Sequence, residues 1–232
     1  RAPARRAPCY VERRVERTGE EAQVSKKNFL TRGWMAVVLV IAILLIDQII
    51  KVWVKTSMEL HESIRVTDWF YIAFIENNGM AWGMQLGSKL ALSLFRVVAI
   101  GFLSYYIWLQ AKRKAKWGYL VCLSMVLAGA AGNLIDCMFY GLGFEASTAH
   151  HVSQWVGLGN GYAGFLMGKV VDMFYFPLIH AIWPEWMPFW GGEDFIFFSP
   201  VFNFADSSIS VGVVALLLFY RKELATISLK RE

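Results

Sequence analysis

The stretch WMAVVLVIAILLIDQIIKVW, residues 34–53, decides the class of this protein. A helix rising about 1.5 Å per residue needs roughly twenty apolar residues to cross the hydrocarbon core of a bilayer, and this run supplies them. Two charges interrupt it, Asp47 and Lys51, spaced so that they pair along one helical face. Three further apolar runs follow at Leu90–Leu109, Tyr119–Tyr140 and Phe204–Tyr220, the last being the shortest. The whole chain of 232 residues is 56% hydrophobic, with ten Trp and seventeen Phe, far from the usage of an average soluble domain. The expected fold is therefore an α-helical membrane protein with four transmembrane helices.

Basic residues set the expected orientation, because Lys and Arg favour the cytoplasmic side near span ends. Nine lie between Arg1 and Arg32, four in AKRKAKWG at Lys112, Arg113, Lys114 and Lys116, and four in the tail at Arg221, Lys222, Lys230 and Arg231. Both termini are thus expected in the cytoplasm, with residues 56–87 and 141–203 facing outward. The organisation reads as a flexible cytoplasmic extension over 1–33, a membrane domain over 34–222 and a cytoplasmic tail over 223–232. The net charge of +5 is topological. The basic clusters flank spans and form no aromatic-interleaved groove, which argues against nucleic acid. Cys122 and Cys137 lie about 22 Å apart along one expected helix, too far for a disulfide.

The outward segments carry other signals. In SIRVTDWFYIAFIENNGMAWGM, Ile64, Val66, Phe70, Ile72 and Phe74 alternate with mixed residues, which predicts one or two strands of a small extracytoplasmic β-cradle ending at the turn Asn77, Asn78, Gly79. The stretch FYFPLIHAIWPEWMPFWGGEDFIFFSP is rich in Trp, Phe and Pro, as an interfacial segment on the outer leaflet would be. Residues 141–168 read as a surface loop. It holds the adjacent pair His150 and His151, which lacks the spacing of a metal site, so no metal or other cofactor is expected.

An ionisable group inside hydrocarbon costs about 2.5 to 3.5 kcal/mol or more, so each one here points to a function. Besides Asp47 and Lys51 there are Arg96 in the second span and Asn133 with Asp136 on one face of the third, behind the small residues Ala128 to Gly132 that let another helix approach. Asp172 stands among apolar neighbours in VVDMF, where desolvation favours its protonated form. Asp206 opens the fourth apolar run in FNFADS, where backbone N–H groups and the helix dipole favour a carboxylate; Ser207 and Ser208 are also capping residue types. Two carboxyls held in opposite protonation states are the means by which one residue type serves as acid and base. Helix capping by Asp206 is an equally good account of that residue from its position alone.

Five stretches in order, DQIIK, NNGMAW, GNLID, VVDMF and FNFADS, resemble the lipoprotein signal peptidase family, also called signal peptidase II. The resemblance covers about residues 34–222. It implies an aspartyl endopeptidase of the bacterial cytoplasmic (inner) membrane. Such an enzyme removes signal peptides from diacylglyceryl-modified prolipoproteins just before the lipidated cysteine, meets membrane lipids as well as its substrate, and is inhibited by globomycin. The matching catalytic pair is Asp172 and Asp206. The supporting or site-lining positions are Asp47, Lys51, Asn77, Gly79 with Ala81, Asn133, Asp136 and Asn203. Family members usually carry Arg directly after GNLID, where this chain has Cys137, and Arg96 is a candidate to compensate. Two readings from other classes are a small transporter with an intramembrane proton or ion relay and a non-catalytic assembly protein. The chain shows no internal repeat of the kind transporters often have.

Overall fold

The computed structural model describes residues 9–78, 89–197 and 200–225. Helix α1 runs from Cys9 to Ser57, so the backbone over residues 9–33 is helical and continuous with the first apolar run, where the sequence suggests a flexible extension. Strands β1 (Ser63–Thr67) and β2 (Phe70–Asn77) follow, then α2 (Lys89–Lys112) and α3 (Trp117–Ile135). A π-helical turn at Asp136–Tyr140 and the short α4 (Gly141–Gly143) extend α3. Beyond an irregular segment come β3 (Val170–Tyr175), β4 (Ile179–Ile182), β5 (Asp194–Phe197), β6 (Val201–Phe202), α5 (Phe204–Phe219) and α6 (Arg221–Ala225).

Among the described residues, three helical segments are long and apolar enough to cross a membrane: 33–57, 89–112 and 117–143. Helix α5 is apolar but has only 16 residues, roughly 24 Å of rise, and falls short of a full span by length. The packing of α1 is inverted relative to a water-soluble helix. Its buried stripe is Ala36, Ile43, Asp47, Lys51, Val54 and Lys55, while Trp34, Val37, Val38, Ile41, Leu45, Ile49 and Trp53 are exposed. Charges inside and aliphatic side chains outside is the arrangement that hydrocarbon surroundings favour.

Helix α3 is central and packs against α1, α2 and α5. The small residues make this close. A Cβ on Gly129 would strike the Ala205 carbonyl oxygen and the Ile209 side chain, and one on Gly132 would lie 2.7 Å from an Asp47 carboxylate oxygen. The sheet is antiparallel in the order β1-β2-β3-β6, with Ile75 opposite Asp172 and Asn77 opposite Val170. Val54, Met58, Phe74, Tyr140, Phe144, Val171 and Met173 form a core that fastens this sheet to the end of α1 and to the π-helical turn.

The aromatic stretch read as an interfacial segment contains a separate two-stranded hairpin, β4-β5, with Ile182 opposite Asp194. Its connection carries the highly exposed Trp186 and Phe189. His150 and His151 lie in the 141–169 segment, where His151 Nε2 sits 2.9 Å from Glu145 Oε2. Among the described residues no His, Cys, Asp and Glu cluster of metal-binding size is present.

Candidate active site

The site forms where the start of α5 meets α3, α1 and β3. Asn203, in extended backbone just before α5, caps the helix: its Oδ1 accepts from the Asp206 backbone N–H at 2.8 Å. Asp206 is therefore not the cap that its position suggests. It lies in the first turn, where the uncompensated N–H groups and the positive end of the dipole favour negative charge. The serines do not cap either. Ser207 Oγ donates back to the Asn203 carbonyl at 3.0 Å, and Ser208 Oγ donates to the Met125 carbonyl on α3 at 3.0 Å.

With Oδ1 committed to the cap, Asn203 Nδ2 points the other way. It donates to Asp172 Oδ1 at 2.7 Å and to Asn133 Oδ1 at 3.1 Å. Asn133 in turn donates from Nδ2 to Asp206 Oδ1 at 2.7 Å. Two amides thus hang both aspartates on one relay. Asn77, at the end of β2, donates to the other Asp172 oxygen.

Behind the relay lies a buried ion cluster. Lys51 Nζ is 2.9 Å from Asp47 Oδ2, 2.7 Å from Asp136 Oδ2 and 2.9 Å from Asn133 Oδ1. Asp47 Oδ1 accepts the Ala205 backbone N–H at 2.9 Å, so α1 supplies a second cap to α5. Gln48 donates to Asp136 Oδ1 at 2.9 Å, and Tyr140 Oη donates to Gln48 at 3.1 Å. Asp136 opens the π-helical turn, a distortion often found where a helix must aim side chains at a site.

Among the positions named from the sequence, Asp47, Lys51, Asn77, Asn133, Asp136, Asp172, Asn203 and Asp206 thus meet in one connected network, and Gly79 lies outside the described residues together with Ala81. Arg96 reaches the helix that carries Asp136 at the next residue, its Nη1 lying 3.3 Å from Cys137 Sγ. Burial, and then the Asp206 charge, push the Asp172 carboxyl up to about 8, against the opposing hydrogen bond from Asn203.

Residues that sequence reasoning missed extend the network. Gln48 holds Asp136 and is itself held by Tyr140. Lys55, one turn beyond Lys51 on the same stripe, is fully buried and donates to Glu76 Oε1 at 2.5 Å and to Ser147 Oγ at 2.9 Å. Lys169 reaches Glu76 Oε2 at 3.2 Å. Burial pushes the Glu76 carboxyl up, but Lys55 and Lys169 outweigh it and hold the group below the usual carboxylate range. The i, i+4, i+8 spacing of Asp47, Lys51 and Lys55 was the available signal.

A lipoprotein signal peptidase from Porphyromonas gingivalis is 51% identical over 197 residues, covering 83% of this chain and 87% of that protein. One from Amoebophilus asiaticus is 32% identical over 193 residues, covering 80% and 77%. A solved bacterial membrane enzyme, determined by the in meso method at 2.3 Å resolution, shares the fold with a TM-score of 0.54 at 23% identity, covering 85% of this chain and 94% of that one. The family model described as signal peptidase (SPase) II matches residues 39–221, and the chain belongs to that family.

Proposed function

We propose that the chain is a membrane aspartyl endopeptidase that removes signal peptides from diacylglyceryl-modified prolipoproteins, cutting just before the lipidated cysteine. The observation that carries this reading is the pair Asp172 and Asp206, presented by different elements and oriented by the shared Asn203–Asn133 relay. Asp172, buried and with its carboxyl at about 8, is the proton-bearing partner at neutral pH. Asp206, at the N-terminal turn of α5, is the carboxylate.

Peptide hydrolysis follows from this asymmetry. Asp206 takes a proton from a water as its oxygen attacks the scissile carbonyl carbon, and Asp172 gives its proton to the carbonyl oxygen as charge develops there. The resulting gem-diol returns a proton from one hydroxyl to Asp172 as the carbonyl reforms, and Asp206 passes its proton to the departing amine. Both carboxyls regain their starting states. The pair titrates as a unit, so these are roles in one microstate.

The ion cluster of Lys51, Asp47 and Asp136, buried behind the relay, positions it and the start of α5. Arg96, brought by α2 to the position of Cys137, supplies a cation where family members usually carry Arg. The protein sits in the bacterial inner membrane with both termini cytoplasmic and residues 56–87 and 141–203 outside. This puts the aspartates at the outer-leaflet level where a diacylglyceryl group is anchored. The exposed aromatics of the β4-β5 connection rest at that interface.

Asp172→Asn and Asp206→Asn variants, reconstituted and shown to retain the melting behaviour of a folded protein, are the test. Each is expected to leave a lipid-modified precursor uncleaved, and globomycin is expected to block the parent protein. Cleavage that survives both substitutions rejects the proposal.

A further inference from the structure

At the end of the helical bundle opposite the aspartates, α1, α2 and α3 line a half-open cavity of about 690 Å³, within the range of pockets that hold small ligands. Its lining includes Ala36 on α1, about 17 Å of helix rise from Asp47, and Ser124 on α3, about 14 Å from Asn133, so it is distinct from the site described above. Ile107, Ala111 and Leu127 make the inner wall apolar. Ser124 is fully buried there, and among the described residues its hydroxyl has no hydrogen-bond partner. Leaving such a hydroxyl unmatched is unfavourable, so an occupant with an acceptor among its apolar atoms fits better than hydrocarbon alone.

The mouth narrows the choice. Trp34 and Trp108 line it and are largely exposed, and Lys112 Nζ lies 3.6 Å over the Trp108 ring. Lys112, Arg113 and Lys114 are exposed where α2 ends. An apolar body, one buried donor, an aromatic rim and a cationic edge match a single amphiphile: a glycerophospholipid with an anionic headgroup. Basic pockets between helices at the cytoplasmic side bind such headgroups. A signal peptide is the wrong occupant, because its positively charged start would meet the same cations.

We propose that this cavity is a binding site for an anionic glycerophospholipid of the cytoplasmic leaflet, whose acyl chain fills the space between α1 and α2. The ester carbonyl accepts from Ser124, and the phosphate meets Lys112 and Arg113. This rests on the orientation given above, with the end of the bundle at Gly33, Lys112 and Trp117 facing the cytoplasm.

The test is native mass spectrometry of the full chain titrated with dioleoyl phosphatidylglycerol or dioleoyl phosphatidylcholine, run beside cleavage of a lipid-modified precursor. The parent protein is expected to retain one phosphatidylglycerol about thirtyfold better than phosphatidylcholine, on the order of what two basic side chains near an anionic surface supply. Ser104→Trp, on the exposed wall of the cavity, is expected to abolish retention of either lipid. The surface pair Lys112→Ala and Arg113→Ala is expected to equalise the two lipids without removing them. Equal retention by the parent protein, or a preference that persists when both basic residues are removed, overturns the proposal. Retention of a signal-sequence peptide in place of either lipid does so as well. Cleavage by a protein without lipid preference would reject this site alone, whereas lipid preference without cleavage would reject the protease reading alone.

Discussion

Raising the pH should switch the protein off through Asp172. That carboxyl is 3% exposed and is pushed up to about 8 by burial and by the Asp206 charge. With that value roughly nine in ten molecules carry the proton at pH 7 and about one in ten at pH 9, so cleavage should fall about tenfold across that interval. The same proton marks stability. The native state holds it up to about pH 8, whereas an unfolded aspartate loses it near 3.9, so between those values the native state binds more protons and is destabilised as pH rises, levelling off above 8. From pH 5 to 7 the parent protein should therefore lose on the order of 1 kcal/mol of stability per pH unit relative to Asp172→Asn. The assays are initial rates on a fluorescent lipid-modified precursor from pH 6 to 9.5, thermal melts of both proteins over pH 5 to 9, and infrared detection of the protonated carboxyl. That infrared band should vanish in Asp172→Asn and titrate at lower pH in Asp206→Asn, where the like charge is gone but burial remains. Rates that stay level or rise from pH 7 to 9, or an infrared band that belongs to Asp206, would refute the assignment of the proton.

Asn203→Ala removes the cap of α5 and the amide that holds Asp172 and joins it to Asn133, the partner of Asp206. Melting should report a loss of about 1 kcal/mol from the cap, and turnover should drop by roughly 100-fold or more; turnover within a factor of a few of the parent would show that the relay is not needed. Lys51→Met leaves Asp47 and Asp136 buried without their cation. It should cost about 3 to 5 kcal/mol in a denaturation series, and an unchanged midpoint would mean the trio is not charged as drawn. Gly129→Ala should destabilise by about 1 to 3 kcal/mol, because its Cβ meets the Ala205 carbonyl and Ile209. Gly101→Ala, with nothing within 4 Å, should be tolerated, and equal melting of the two variants would show that α3 and α5 are not in close contact.

The helices and the small sheet were legible because their signals are local. The apolar runs have span length, and the alternation from Ile64 to Phe74 has the period of a strand. The residues that gather in the candidate site were singled out for a different reason: polar groups are costly where Asp47, Lys51, Asn133 and Asp136 stand, and motif order supplied the others. What stayed hidden depends on which atoms meet. Nothing local says that Ile75 pairs with Asp172, since strand register follows from packing across the sheet. Nothing local separates Asn203 from Asp206 as the cap of α5 either, since both residue types serve there.

That last ambiguity matters for the chemistry. An asparagine amide has one acceptor and one donor end, so committing Asn203 Oδ1 to the Asp206 N–H leaves its Nδ2 fixed toward Asp172 and Asn133. An aspartate at position 203 could accept from the same N–H, but it would present a second oxygen to Asp172 where a donor is required. The start of α5 and the spacing of the two carboxyls are thereby set by the same side chain. Asp47, reaching from α1 to the Ala205 N–H, secures that start from the other side, and Lys51 joins it to Asn133. A shift of α5 relative to α1 must therefore disturb the relay and both aspartates together, which couples the seating of the shortest apolar helix to the competence of the site.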